Sequence, residues 1–122
     1  MDHPAGASYQ KTFALVTRIP GGFVTPEILE KIAAVARTYQ VPLVKITSGQ
    51  RFLLIGMSEN DLAPIRRDLG PLAEAEPGSS VRYVQACLGT DACRYGTQDS
   101  TGLGMELEKR YQGAVYPAKI KI

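Results

Sequence analysis

Apolar positions recur with two different periods along this chain, and each change of period marks an element. From Thr12 to Thr17 the short run TFALVT reads as a strand, and it stops at Arg18-Ile19-Pro20-Gly21-Gly22. Thr25-Pro26-Glu27 then supplies a helix start, with a hydroxyl cap, proline at the first helical position and an acid in the first turn. Ile28, Leu29, Ile32, Val35, Ala36 and Tyr39 follow at spacings of three and four, so they share one face and form the expected core stripe. Glu30, Lys31 and Arg37 lie away from its centre. Val41-Pro42 breaks the helix, after which Leu43 to Thr47 (LVKIT) and Arg51 to Ile55 read as two strands of a hairpin turning at Ser48-Gly49.

Ser58 to Asp61 offers several caps for a second helix carrying Leu62, Ile65 and Leu69, and ending at Gly70-Pro71. Pro64 fits its first turn if Asn60 or Asp61 is the cap, because an amide there has no intrahelical partner. Residues 71–80 (PLAEAEPGSS) collect proline, glycine, serine and acids, the composition of a boundary between two subregions. Beyond them Val81 to Ala86 is strand-like, Cys87 to Gly96 is a glycine-containing loop, Asp99-Ser100-Thr101 caps a third helix, and Lys119 to Ile122 begins another strand. The order strand, helix, strand, strand, helix before the boundary predicts an α+β sandwich, with helices on one face of a mainly antiparallel sheet.

Composition narrows the class. The 122 residues are 44 % hydrophobic and 21 % charged, ordinary globular usage that excludes a disordered or fibrous chain. A net charge of +2 is too small for a nucleic-acid or acidic-membrane partner, which calls for a concentrated basic face. No apolar run approaches the roughly 18 residues of a membrane span, and the polar start MDHPAGASYQK lacks a signal peptide's apolar stretch, so the expected location is cytoplasmic. The only histidine, His3, sits in that polar segment and is assigned no role.

Three features carry candidate chemistry. Cys87 and Cys93 enclose five residues with a glycine among them, a loop that can aim two thiolates at one centre. Zinc sites favour tighter spacing and iron–sulfur clusters need about four thiolates, so the pair reads equally as metal ligands or as two ordinary buried cysteines. Gly102 and Gly104 lie within the third helix, where each glycine costs about 1 kcal/mol relative to alanine. Either tight packing or the approach of an anionic cofactor group to the helix start offsets that cost. Arg18, Arg51 and Arg82 stand at strand ends, and Lys119 and Lys121 alternate with Ile120 and Ile122 on one strand face. Convergence of the two lysines with Arg18 and Arg82 would make a small-anion site, and otherwise the lysines are a solvated face.

At the cysteines the chain meets a known pattern. ACLGTDACRYGTQDSTGLGMELEKRY resembles the first cysteine pair and its surroundings in siroheme-dependent nitrite and sulfite reductases, most of all the large subunits of bacterial NAD(P)H-dependent nitrite reductases. The likeness extends through TRIPGGFVTPEILEKIA, VKITSGQR and YPAKIKI, nearly the whole chain from about residue 12. It implies a ferredoxin-like half-domain over residues 1–76 and the first part of a siroheme/4Fe-4S α/β domain over 77–122. The family reduces nitrite to ammonia, or sulfite to sulfide, with six electrons from a donor protein or domain. By resemblance, Arg18, Arg82, Lys119 and Lys121 hold the substrate oxyanion over the siroheme. Thr47 and Gln50 lie in the siroheme-contacting segment; where plant-type relatives carry an arginine this chain has Gly49, with Arg51 as the stand-in for contact with a siroheme carboxylate. Cys87 and Cys93 give two thiolates to a 4Fe-4S cluster. The family draws the other two from a Cys-x-x-x-Cys motif just after the lysine strand, so the expectation is a truncated module or a short protein that needs another chain. Family members with two related half-modules add a homodimer as an expectation by analogy. The alternative functions are a non-catalytic siroheme-binding or assembly module, and a plain interaction domain.

Overall fold

A computed structural model describes residues 12–73, 84–111, 113–120 and 122. Strand β1 (Phe13–Val16) ends in a 3-10 turn at Pro20–Gly22, and helix α1 (Pro26–Thr38) follows. Thr25 caps α1 as its sequence predicts, its hydroxyl accepting from the Ile28 amide at 3.3 Å. Strands β2 (Leu43–Ile46) and β3 (Phe52–Met57) form the hairpin, then come α2 (Glu59–Leu69), a 3-10 turn at Gly70–Leu72 and α3 (Ser100–Tyr111). None of the helices among the described residues is long and apolar enough to cross a membrane.

The sheet order is β1-β3-β2, with β3 antiparallel to both neighbours, so β1 and β2 run parallel with β3 inserted between them. Helix α1 is the crossover, which makes this a split β-α-β unit. Leu15 of β1 and Val44 of β2 both pair with Leu54, placing the three side chains on one face. Leu15 and Leu54 form one buried cluster with Ile32 and Val35 of α1 and Ile65 and Leu69 of α2. The α+β arrangement expected from periodicity is therefore present, with both helices covering that face.

Three local expectations need correction. Leu29, placed on the core stripe, is 44 % exposed, because the buried line of α1 runs through Ile32 and Val35 at its inner side. β3 begins at Phe52, not Arg51, because residues 47–51 close into a turn: the Thr47 amide donates to the Arg51 carbonyl at 2.8 Å and the Gln50 amide to the Thr47 carbonyl at 3.1 Å. α2 starts after Ser58, so Pro64 lies inside the helix, beyond the first turn. Its missing N–H removes the donor that the Asn60 carbonyl would otherwise have.

After α2 the chain returns beside β1, where the Arg18 amide donates to the Leu72 carbonyl at 2.7 Å and Thr17 bridges Ala73. Most of the expected boundary segment, residues 74–80, lies outside the described residues. Two expected strands are not seen as strands among the described residues. Residues 81–83 and 121 of these two segments lie outside the described residues, and the described remainder is joined by a backbone bond from the Gln85 amide to the Ile122 carbonyl at 3.0 Å.

Helix α3 lies against the Pro20–Gly22 turn. Asp99 caps it, Oδ1 accepting from the Gly102 amide at 3.0 Å. A side chain at Gly102 would collide with that capping carboxylate, and a Cβ at Gly104 would stand 2.7 Å from the Ala86 Cβ. Tight packing is thus the structural reason for Gly104, whereas at the exposed Gly102 the obstacle is the capping side chain of Asp99 itself.

Candidate functional site

The loop from Cys87 to Gln98 is shaped by its own backbone. The Cys93 amide donates to the Gly89 carbonyl at 2.9 Å, the Gly96 amide to the Cys93 carbonyl at 2.9 Å, and the Thr90 amide to the Gln98 carbonyl at 3.0 Å. The Thr101 hydroxyl, in the first turn of α3, donates to the Leu88 carbonyl at 3.0 Å and so ties helix to loop. Both cysteines are free thiols, Cys87 exposed and Cys93 half-buried. They open onto one cavity of about 600 Å³, whose wall continues through Gln50, Phe23 and the Gly21-Gly22 turn. A hydrogen bond from Ser100, and next one from the Gly89 backbone N–H, hold the Cys87 thiol below its ordinary value of 9.0 against the opposing effect of burial. These bonds stabilise the thiolate of Cys87 relative to an ordinary thiol, and the thiolate is the form that ligates metals.

The half-domain side meets the loop through polar groups. Arg51 Nη2 stands 2.7 Å from Glu108 Oε1, and both side chains are 2 % exposed. Glu108 Oε2 also accepts from the Gly21 amide at 3.2 Å, and Arg51 Nη1 donates to the Gln50 carbonyl at 3.2 Å. Gln50 Nε2 donates to the Ala86 carbonyl at 2.9 Å, and its Oε1 accepts from the Ala86 amide at 3.2 Å.

Of the residues singled out from sequence, Gln50, Cys87 and Cys93 share this cavity. Thr47 works inside the β2–β3 turn, its hydroxyl accepting from the Arg51 amide at 3.2 Å. Arg51, expected to reach a cofactor carboxylate, is buried with its guanidinium turned to Glu108, and it is not among the residues lining the cavity. Arg18 is half-buried just after β1, and Lys119 is exposed near the chain end; neither is in the cavity wall. Arg82 and Lys121 lie outside the described residues. Glu108 was missed, because an acid between Leu107 and Lys109 reads as solvated. Its spacing of four from Gly104 was the available signal, since those two are the buried positions of α3.

Residues 8–72, over half of the chain, match the family model described as the nitrite/sulfite reductase ferredoxin-like half domain. The chain belongs to the nitrite/sulfite reductase family. An assimilatory-type sulfite reductase of Nitratidesulfovibrio vulgaris is 45 % identical over 98 % of this chain and 56 % of that relative. A nitrite reductase [NAD(P)H] of Bacillus subtilis is 42 % identical over 95 % of the chain and 15 % of that relative, and a nitrite reductase (NADH) large subunit of Escherichia coli is 40 % identical over 94 % and 14 %. The chain thus spans about half the length of the first of these relatives and about a seventh of the other two.

The donor set fits a thiolate-held group as a partial ligand set. Two cysteines face one cavity and the Cys87 thiol is lowered from its ordinary value, while among the described residues no cluster of three or more His, Cys, Asp or Glu completes a metal site. Family membership and the half-domain fold bear out the family and the α+β class that the motifs implied.

Proposed function

We propose that this chain contributes one half-domain and the first cysteine pair to a siroheme- and 4Fe-4S-dependent reductase of nitrite or sulfite. The observation that carries this reading is the placement of Cys87 and Cys93 on one cavity walled by the half-domain's own turns. Cys87 and Cys93 would hold one side of the cluster, with two further thiolates from a Cys-x-x-x-Cys segment outside these residues. Gln50 and Phe23 form the wall that a macrocycle would meet. When bound, the two cofactors supply the electron-transfer chemistry, and electrons reach them from a donor protein or domain. Arg18, Arg82, Lys119 and Lys121 would bind the oxyanion and stabilise its charge as oxygen leaves as water. The cytoplasm, where cysteines stay reduced, suits such a site.

The test is anaerobic reconstitution with iron, sulfide and siroheme, with and without a Cys-x-x-x-Cys segment of a family member supplied in trans. We expect iron and visible absorbance to be retained only when the segment is present, and to be lost in Cys87→Ser and Cys93→Ser. Wild-type chain that retains no iron under either condition overturns the reading.

A further inference from the structure

We propose that Gln50 is a positioning residue for Cys87, its side-chain amide acting as a surrogate strand that pins the cysteine loop to the half-domain. Both ends of the amide are engaged by one residue, Ala86, whose carbonyl accepts at 2.9 Å and whose amide donates at 3.2 Å. This is the reciprocal pairing of an antiparallel ladder, made by a side chain. Ala86 immediately precedes Cys87, so the bonds set the direction in which the chain enters the ligand loop.

Two further observations point to the same device. Gln50 holds φ 62°, a left-handed conformation uncommon for a residue other than glycine and one that persists where surrounding structure requires it. Across the gap, Gly22 has φ 76°, and a Cβ there would stand 3.0 Å from both Gln50 Cβ and Gln50 Oε1. The glycine therefore admits the glutamine side chain on its way to Ala86. The neighbouring Gly21 amide donates to Glu108, so the same turn anchors α3 while giving way to Gln50. Gln85 adds a third tie, its side-chain amide donating to the Ser48 carbonyl in the same β2–β3 turn. The loop bearing Cys87 is thus referenced to the half-domain at its entrance by Gln50 and along its following helix by Glu108.

The assignment rests on the reductase reading for what Cys87 ligates, but the clamp is measurable in the chain without any cofactor. Gln50→Met keeps the side chain's length and removes its hydrogen bonds; Gln50→Asn keeps an amide and tolerates the left-handed backbone but is one methylene too short. Amide hydrogen exchange of the reduced 122-residue chain reads both. Exchange at Thr90, Cys93, Gly96 and Leu103 should rise about tenfold in each variant, as for two hydrogen bonds of ordinary net worth, while β3 amides keep wild-type protection. Unchanged loop exchange, or an equal rise throughout β3, overturns the clamp. Iron retention in the reconstitution described above separates the two claims. If wild type retains no iron but the loop-specific exchange appears, the positioning role stands and the reductase reading falls. If wild type and Gln50→Met retain iron equally with unchanged exchange, the reductase reading stands and the clamp falls.

Discussion

The half-domain and the cysteine unit are held together by different forces. In the half-domain, Leu15, Ile32, Val35, Leu54, Ile65 and Leu69 close around one apolar core, a non-directional interaction summed over many contacts. In the unit of loop and α3, Val84 is buried under Gly104 and Met105 lies beside Gly21, and the attachment to the half-domain adds a set of directed polar bonds. Arg51 meets Glu108, Glu108 meets the Gly21 amide, and Gln50 meets both sides of the Ala86 peptide. A core tolerates small displacements at modest cost, whereas a chain of hydrogen bonds specifies distance and direction. The contrast suits the roles proposed above: a scaffold that only has to be firm, and a ligand loop that has to point.

The largest expected effect comes from breaking the link between the two regions. Glu108→Ala removes the carboxylate that stands 2.7 Å from the buried Arg51 guanidinium, and breaking a buried pair typically costs about 3–5 kcal/mol. Because that cost falls at the junction, urea unfolding should split into two phases, with exchange in α3 rising before exchange in β3. One transition with an unshifted midpoint would show that the pair carries no load.

Leu54→Ala probes the other side of the contrast. Leu54 is fully buried at the centre of the sheet, and a cavity there should cost about 2–5 kcal/mol. Here the expected result is a single transition moved to lower urea with its slope retained, because the half-domain core unfolds as one unit. A two-phase curve for this variant would erase the distinction between the regions.

The smallest effect lies at a polar contact inside the half-domain. The Tyr39 hydroxyl donates to Asp68 Oδ2 at 2.5 Å, tying the end of α1 to α2. That bond lowers the Asp68 carboxyl from its ordinary 3.8 and raises the Tyr39 phenol from its ordinary 10.0. A lowered carboxyl contributes stability that is present above the unfolded value and lost as pH falls through the folded one. A raised phenol contributes stability present below its unfolded value and lost as pH rises through the folded one. The Tm difference between wild type and Tyr39→Phe should therefore be flat through neutral pH and shrink both below about 3.8 and above about 10. A difference that stays constant across those limits would remove this bond from the account of stability.

Much of the half-domain was legible from local pattern. Thr25-Pro26-Glu27 marked the start of α1 and the three-and-four spacing found Ile32 and Val35, and outside the half-domain Asp99 was legible as a cap of α3. Leu29 and Pro64 were misread because periodicity gives the centre of a face but not its edge, and several cap candidates in a row leave the start of a helix open by a residue or more. The motifs also led to the cysteine pair and to the family, since residue types at fixed spacing survive in a linear reading.

What the sequence alone determined, then, is what sums over neighbours: strands, helices, caps, the α+β class and the family of the chain. The tertiary structure decided which polar groups meet. Arg51 and Glu108 are 57 positions apart, and Gln50 and Ala86 are 36 apart. No local propensity encodes such meetings, because each depends on where the whole sheet, the Gly21-Gly22 turn and α3 come to rest. Arg51, expected near a cofactor carboxylate, pairs across the fold with Glu108, a glutamate that the linear pattern did not single out. Burial is a property of a pattern and can be read along the chain; a directed hydrogen bond is a property of a distance, and exists only once the chain has folded.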